Sequence, residues 1–357
     1  MQDLKLCDLG EKCIVNDLIV SRFPEISQPY GSPDDCAIAA FGKRETLVHT
    51  TDPCPTPVVY DLFASDPFHF GWMTVTINGS DIAAMGAKPV HMLLMIEAPP
   101  TYSVFDFNRL IDGVEAASQT FGIPIAGGNL RDGPVLRVEG AMLGSIEKGS
   151  PLTRSSLLPG HSVWAIGNSG HFWTSILLAQ SEGYKTACLR KEVQQALCRP
   201  APASSFAIDF QKSNIGSAAM DASDGIMSGL ETLAAASSVS IEVNLSKIHV
   251  DPWVATHAPN LFCDSLVPTL AWGDWQLMVG VCPGHEDDVI AMAKKHRLHA
   301  FCCGHVLDQS KNLVSYHRNG RKVSPPYLKS EKFSTDHSNW TYTDWANHIR
   351  NSSFDTR

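Results

Sequence analysis

The sequence predicts an α+β protein built as two mixed αβ domains. The length of 357 residues suits two separate cores. Strand-like and helical periods alternate in both halves of the chain. A stretch rich in Ser, Pro and Gly, GSPLTRSSLLPG at 149–160, reads as the joint between them. These observations divide the chain into residues 1–149, residues 150–325 and a polar tail at 326–357, which is expected to wrap the surface or move freely.

In the first half, LVHTTD at 47–52 reads as a strand ending in two threonines and an acid. NGSDIAAMGAKP at 78–89 reads as a very short helix with Asp81 at its mouth. Asn78 or Ser80 is a fitting cap, Ile82 and Met85 face inward, Gly86 ends the turn and Pro89 bars its restart. VHMLLMIE at 90–97 is a strand, and 105–121 is a helix with Phe105, Leu110, Val114 and Ala117 on one face and Gly122 as its stop. Residues 123–126 and 135–146 read as two more strands, connected through Gly127-Gly128-Asn129 and Arg131-Asp132-Gly133, which favours antiparallel pairs. In the second half, a strand at 162–166 leads through GNSG at 167–170 into an apolar helix. Helices at 226–236 and 287–295 then alternate with strands at 239–243, 277–281 and 301–306.

Composition narrows the function. With 44% apolar and 18% charged residues, the chain reads as an ordinary globular protein. A net charge of −9 without a basic cluster argues against nucleic acid as partner, although a negative protein binds nucleotides when divalent ions supply the positive charge. No stretch reaches the ~18 apolar residues of a membrane span, and the N-terminus MQDLKLCDLGEK has no basic leader. Ten cysteines without a CxxC pair read as buried thiols of a reducing cytoplasm. GxxxxGK[ST], GxGxxG after a strand, GxSxG and HExxH are all absent, which removes P-loop, dinucleotide, hydrolase and zinc-protease readings.

What remains is a set of aspartates at the ends of apolar runs. Asp34 and Asp35 precede the run at 36–41, and Asp52 closes a strand. Asp81 opens the short helix, Asp221 and Asp224 lie in AAMDASDGI just before a helical pattern, and Asp274 stands among tryptophans in AWGDWQLM. Singly, each serves equally well as a turn or cap residue. Together they are oxygen ligands for Mg²⁺ around a triphosphate, provided the fold gathers them.

With these residues in view the chain resembles the aminoimidazole ribonucleotide synthetase superfamily, and its motifs resemble most those of the thiamine-monophosphate kinase family. The matches run in order: GEK at 10–12, PDDCAI at 33–38, TTD at 50–52, DPFHFGW at 66–72, NGSDIAAMGAKP at 78–89, AGGN at 126–129, PLTRSS at 151–156, DASDGI at 221–226 and WGDWQL at 272–277. The resemblance implies a homodimer whose N-terminal strands pair into a shared β-barrel, a C-terminal αβ domain, and an ATP site in a groove between the domains with Mg²⁺ bridging phosphates to aspartates. It implies metal positions at Asp34, Thr50, Thr51, Asp52, Asp81, Asp221 and Asp224. Nucleotide contacts fall on Gly128, Asn129, Arg154 and Ser223, and a substrate-side acid on Asp274. Asp52, Asp81 and Arg154 are the implied catalytic groups.

Three departures touch the acceptor and metal side. Asn129 replaces the aspartate of the kinases' GGD triplet, residues 53–61 lack the histidine those kinases use near their substrate, and the late GGDD run is here Trp272-Gly273-Asp274-Trp275. The expected activity is ATP- and Mg-dependent phosphoryl transfer to a small metabolite, phosphorylated or not, by a cytoplasmic enzyme with an altered acceptor pocket. Two alternatives stand beside it: ATP-dependent amide activation leading to ring closure or dehydration, and a nucleotide-binding regulator weakened by Asn129.

Overall fold

The structure is a computed structural model that describes residues 13, 16–17, 20–22, 34–41, 45–63, 66–309, 313–330 and 339–356. The GEK motif at 10–12 lies outside the described residues. Two mixed αβ domains form, as expected, each on its own mixed sheet. Among the described residues no helix is long and apolar enough to cross a membrane.

The N-terminal domain contains strand β1 (Ala37–Phe41), strand β2 (Glu45–Pro53), helix α1 (Val58–Phe63), helix α2 (Phe68–Ala84), strand β3 (Lys88–Ala98), helix α3 (Val104–Phe121), strand β4 (Ile125–Asp132) and strand β5 (Arg137–Ile146). Among the described residues the sheet runs β1-β2-β5-β3-β4 and does not close into a barrel. Its inner face carries Val48, Met92, Leu94, Val138 and Met142 and packs against α2 and α3. The helices cross closely because two glycines meet. A Cβ on Gly71 would lie 2.0 Å from the Leu110 carbonyl oxygen, and one on Gly113 would lie 1.9 Å from that of Phe68. α3 behaves as its pattern says: Ser103 caps it, Leu110, Val114 and Ala117 are buried, and Gly122 ends it in the left-handed conformation at φ 67°.

Several expectations need correction. The helix holding Asp81 is α2, of 17 residues, and Asp81 lies near its C-terminal end rather than at its mouth. Residues 70–84 are buried on almost every side, so no polar stripe marks the helix, and the run Thr74-Val75-Thr76-Ile77 favours strand by propensity. Burial between sheet and neighbouring domain overrides that preference. Phe105 is 72% exposed instead of facing the core. Gly127-Gly128-Asn129 is the middle of β4, which pairs parallel to β3, while β5 inserts between β2 and β3. The expected antiparallel neighbour pair β4–β5 therefore does not form.

The C-terminal domain continues with strand β6 (Ser162–Ile166), helix α4 (His171–Glu182), helix α5 (Tyr184–Ala187), helix α6 (Lys191–Val193) running into a π turn (Gln194–Cys198), helix α7 (Ser204–Ser213) and strand β7 (Ala218–Asp221). Helix α8 (Ile226–Ala236), strand β8 (Ser240–Asn244), helix α9 (Pro252–Leu261), helix α10 (Val267–Leu270), strand β9 (Leu277–Val281), helix α11 (Glu286–Lys295) and strand β10 (Ala300–Leu307) follow. Strand β11 (Val314–Arg318), strand β12 (Arg321–Ser324), helix α12 (Tyr342–Asn351) and strand β13 (Asp355–Thr356) complete it. The sheet order is β13-β12-β11-β8-β10-β6-β9-β7. The tail contributes α12, whose Trp345, Ala346 and Ile349 are buried in the main C-terminal core.

The two domains meet at the end of α2. Ala83 and Ala84 share a core with Leu152, Trp164, Phe206 and Phe210 of the second domain. This junction brings the last turn of α2 beside the edge strand β7, and with it Asp81 beside Asp221.

Candidate active site

Four chain segments deliver acids to this junction. Alternation along β2 turns Thr50 and Asp52 to the inner face and Thr51 away from it. The Thr50 hydroxyl donates to Asp81 Oδ2 at 2.5 Å, while the Thr51 hydroxyl donates across the sheet to the Gly140 carbonyl at 2.9 Å. Asn78, one turn before Asp81 on α2, accepts the Asp52 amide on Oδ1 at 3.2 Å and donates from Nδ2 to the Thr74 carbonyl at 2.9 Å, which ties helix to strand. Ser80 reaches across the domain junction and donates to Asp221 Oδ2 at 3.2 Å, and Ser223 donates to Asp221 Oδ1 at 3.3 Å. Asp224 lies in the following turn and adds its negative charge to that felt by Asp221.

Carboxylate oxygens of Asp35, Asp81 and Asp221 lie within 4.8 Å of one another. Of the acid pair before β1, the family resemblance implies Asp34 as the ligand, whereas the structure brings Asp35 into this group. Asp34 lies alongside it and accepts the Arg154 amide at 2.9 Å and the Asp35 amide at 2.9 Å. The Arg154 guanidinium forks onto both oxygens of Asp35, with Nε at 3.2 Å from Oδ2. The PDD sequence contains both acids; which one points inward depends on the turn before β1, and no residue pattern announces that turn.

The electrostatics of this cluster are adverse without a cation. Burial, then repulsion from Asp221 and Asp52, pushes Asp81 well above the usual carboxylate range. The position of Asp81 at the negative end of the α2 dipole works in the same direction. Burial, then Asp35, pushes Asp221 up to about 7, and burial followed by Asp35 pushes Asp34 up to about 6. Burial disfavours the charge on Arg154, yet Asp35, Asp34 and Asp221 outweigh it and hold the guanidinium protonated. One cation thus faces several carboxylates, and their chemistry is that of a hard-cation site with oxygen donors only.

The remaining expected residues are elsewhere. One row of the N-terminal sheet runs Asp52, Gly140, Leu94, Gly128, so Gly128 lies three strand spacings, about 14 Å, from Asp52. Gly128 is required by close approach, since a Cβ there would meet the Leu94 carbonyl oxygen at 1.8 Å. Asn129 is exposed on the edge strand, in the neighbouring row, on the opposite face from Asp52. Asp274 is half-buried beside the start of α4, where Oδ2 accepts the Gly170 amide at 2.7 Å and Oδ1 the Phe172 amide at 2.6 Å. Burial nonetheless pushes it up to about 7. Trp272 packs against Trp173 and Trp345 in the aromatic part of the second core. His69 stands near the first turn of α2, far from the acids, with Nδ1 at 3.1 Å from the Cys198 carbonyl.

Residues 33–146 match the AIR synthase related protein, N-terminal domain, and residues 159–317 match the AIR synthase related protein, C-terminal domain. Together they cover more than half of the chain. The chain belongs to the AIR synthase related family. Within the family, a thiamine-monophosphate kinase of Buchnera aphidicola subsp. Schizaphis graminum is 26% identical over 311 residues, covering 83% of this chain and 92% of that one. The thiamine-monophosphate kinase of Bacillus subtilis is 28% identical over 276 residues, covering 74% and 80%. Among solved structures, AaThiL complexed with AMPPCP and TMP superposes with a TM-score of 0.75 at 24% identity, covering 92% of this chain and all of that one. The hydrogenase maturation protein HypE in complex with ATP reaches 0.61 at 16%, covering 88% and 94%, and shares the fold. This family member is accordingly an ATP-dependent enzyme of the kinase or ligase type.

Proposed function

We propose that this AIR synthase family member is a Mg²⁺-dependent phosphotransferase that moves the γ-phosphoryl group of ATP to a small phosphorylated metabolite. Thiamine monophosphate is the first acceptor to test. The observation that carries the reading is the convergence of Asp34, Asp35, Asp52, Asp81 and Asp221 with Arg154 at the domain junction. Carboxylates crowded this closely, with Asp81 and Asp221 pushed above their ordinary range by burial, fit divalent cations that bridge to phosphate. Bound Mg²⁺ would neutralise the phosphate oxygens during transfer.

The chain's own groups have distinct tasks in this reading. Asp35, Asp81, Asp221, Asp52 and Asp224 hold the cations, with Thr50 fixing the Asp81 carboxylate and Ser80 and Ser223 fixing that of Asp221. Arg154 turns from Asp35 to the phosphate oxygens and stabilises charge that builds as the phosphoryl group moves. Asn129 lies on the opposite face of the sheet from the acids, so the charge it lacks falls outside this cation set. The substitutions at 53–61 and 272–275 alter the acceptor pocket. The open face of the N-terminal sheet, with Leu93 45% exposed and β4 exposed throughout, supports pairing with a second copy into a shared barrel. A cytoplasmic site of action suits the free thiols.

The test is ADP formation from ATP with Mg²⁺ and thiamine monophosphate, with the products resolved by mass. A phosphorylated acceptor is expected, and Asp52→Ala or Asp81→Ala should lower kcat by about 10²–10³-fold. Turnover retained in both variants contradicts the site. Inorganic phosphate released together with a dehydrated product assigns amide activation instead, and tight nucleotide binding without turnover on any acceptor assigns a regulator.

A further inference from the structure

We propose that the cleft between the start of α2 and the α5–α6 segment is a second binding site, specific for a small molecule bearing a phosphate group. The cleft has a volume of about 470 Å³ and is lined by Phe68, Arg109, Lys185 and Arg199 among others. Ligand pockets for compounds of nucleotide size fall in this range. It shares no residue with the acid cluster. Phe68 and Asp81 are thirteen residues apart on one helix, so the two sites are separated by about 20 Å along α2.

The cleft is built around a held cation. The carbonyls on either side of Arg199 are both anchored to α2: Cys198 O faces His69 Nδ1 at 3.1 Å, and Pro200 O accepts Trp72 Nε1 at 2.8 Å and the Thr76 hydroxyl at 3.0 Å. Those bonds fix the backbone so that the guanidinium lies over the rings of Phe68 and Trp72, 5.5 Å from each centroid. Ring faces take up none of its N–H donors. Arg109 approaches the same Phe68 ring at 5.5 Å, but its charge is already met by Asp66 and Asp112. Arg199 and Lys185 make no ion pair with a carboxylate among the described residues. Two exposed cations without a carboxylate partner among the described residues line one cleft, on a chain of net charge −9, and give it a locally positive potential that attracts an anion.

The chemistry selects phosphate. Two cations lining one cleft, one a guanidinium, suit the several oxygens of a phosphate dianion. The cleft is larger than that group needs, and Phe68 and the ring of Tyr184 offer apolar surface for the remainder of an organic ester. The positive end of the α2 dipole points the same way.

The experiment titrates the full chain, kept free of divalent cations with EDTA, with AMP and separately with inorganic phosphate by calorimetry. Under these conditions the aspartate cluster repels phosphate, so binding there does not contribute. One AMP per chain is expected, at least ten-fold weaker in Arg199→Gln and in Lys185→Gln, with hydrogen-exchange protection of unmodified protein confined to the first turn of α2 and residues 184–199. AMP tighter than phosphate assigns an organic ester; equal affinity assigns inorganic phosphate, and either supports the site. Absence of binding, binding unchanged in both variants, or protection at Asp81 and Asp221 in place of the cleft overturns it.

Discussion

The acid cluster makes metal-free protein less stable than it needs to be, and Asp221→Asn measures by how much. A carboxyl held at about 7 in place of its ordinary 3.8 costs about 4 kcal/mol once it is ionised. The sign follows from linkage. Native Asp221 retains its proton at pH values where the unfolded chain has lost it. Stability in EDTA therefore falls as pH rises from about 4 to about 7, and the full cost is present above that. Asparagine removes the charge and keeps one oxygen to accept from Ser80 or Ser223. The other hydroxyl bond is lost, at about 1 kcal/mol. The net gain at pH 8 is about 3 kcal/mol, a rise in melting temperature of about 5 °C or more. At pH 4 the gain disappears and the lost hydroxyl bond leaves the variant slightly less stable. Thermal melts at both pH values, with EDTA and with Mg²⁺, decide it. Mg²⁺ should stabilise the unmodified protein strongly and the variant weakly. A variant that melts below the unmodified protein at pH 8 in EDTA, and still gains fully from Mg²⁺, refutes the reasoning.

Other outcomes follow from the same structure. Thr50→Val removes the hydroxyl that orients Asp81 while keeping shape, and should weaken Mg²⁺ affinity about 10-fold by calorimetry with melting unchanged. Gly128→Ala forces a Cβ against the Leu94 carbonyl, and should cost about 1–3 kcal/mol, with faster amide exchange along β4 in particular. Asp264, deep in the second domain, is disfavoured by burial, but both Arg318 guanidinium donors and the Leu266 and Phe354 amides hold it below the usual carboxylate range. Its contribution is present above about pH 4 and lost as pH falls through its lowered value. Asp264→Asn should cost about 2 kcal/mol in urea denaturation at pH 7, and less in acid.

How much of this was legible in the chain depends on the kind of pattern. The strand at 277–281 and the helix at 226–236 are read directly, because a short apolar run and an amphipathic period each have a recognisable length. α2 is misread because its period is erased by burial on nearly every side, and the misreading carries Asp81 from one pole of a helix dipole to the other. That change matters to the chemistry, since the C-terminal pole adds to the need for a cation. The order β2-β5-β3-β4 is invisible in sequence, because strand pairing across an intervening element leaves no local mark. Asp34, Thr50, Asp52, Asp81, Asp221 and Arg154 do come together. Asp35 is not legible as a ligand in the sequence, since the choice between adjacent acids is made by backbone direction alone. Ser80 and Asn78 went unread as supports because their partners lie on other elements, although the NGSD run contains both.

The account stands on acids from four distant segments forming one cation site for a triphosphate. Anomalous diffraction from crystals grown with AMPPCP and Mn²⁺ in place of Mg²⁺ tests this most directly. At least one manganese peak is predicted within bonding distance of carboxylate oxygens of Asp35, Asp81 and Asp221, and also of phosphate oxygens. Ordered nucleotide whose metal peaks avoid all three carboxylates would contradict it.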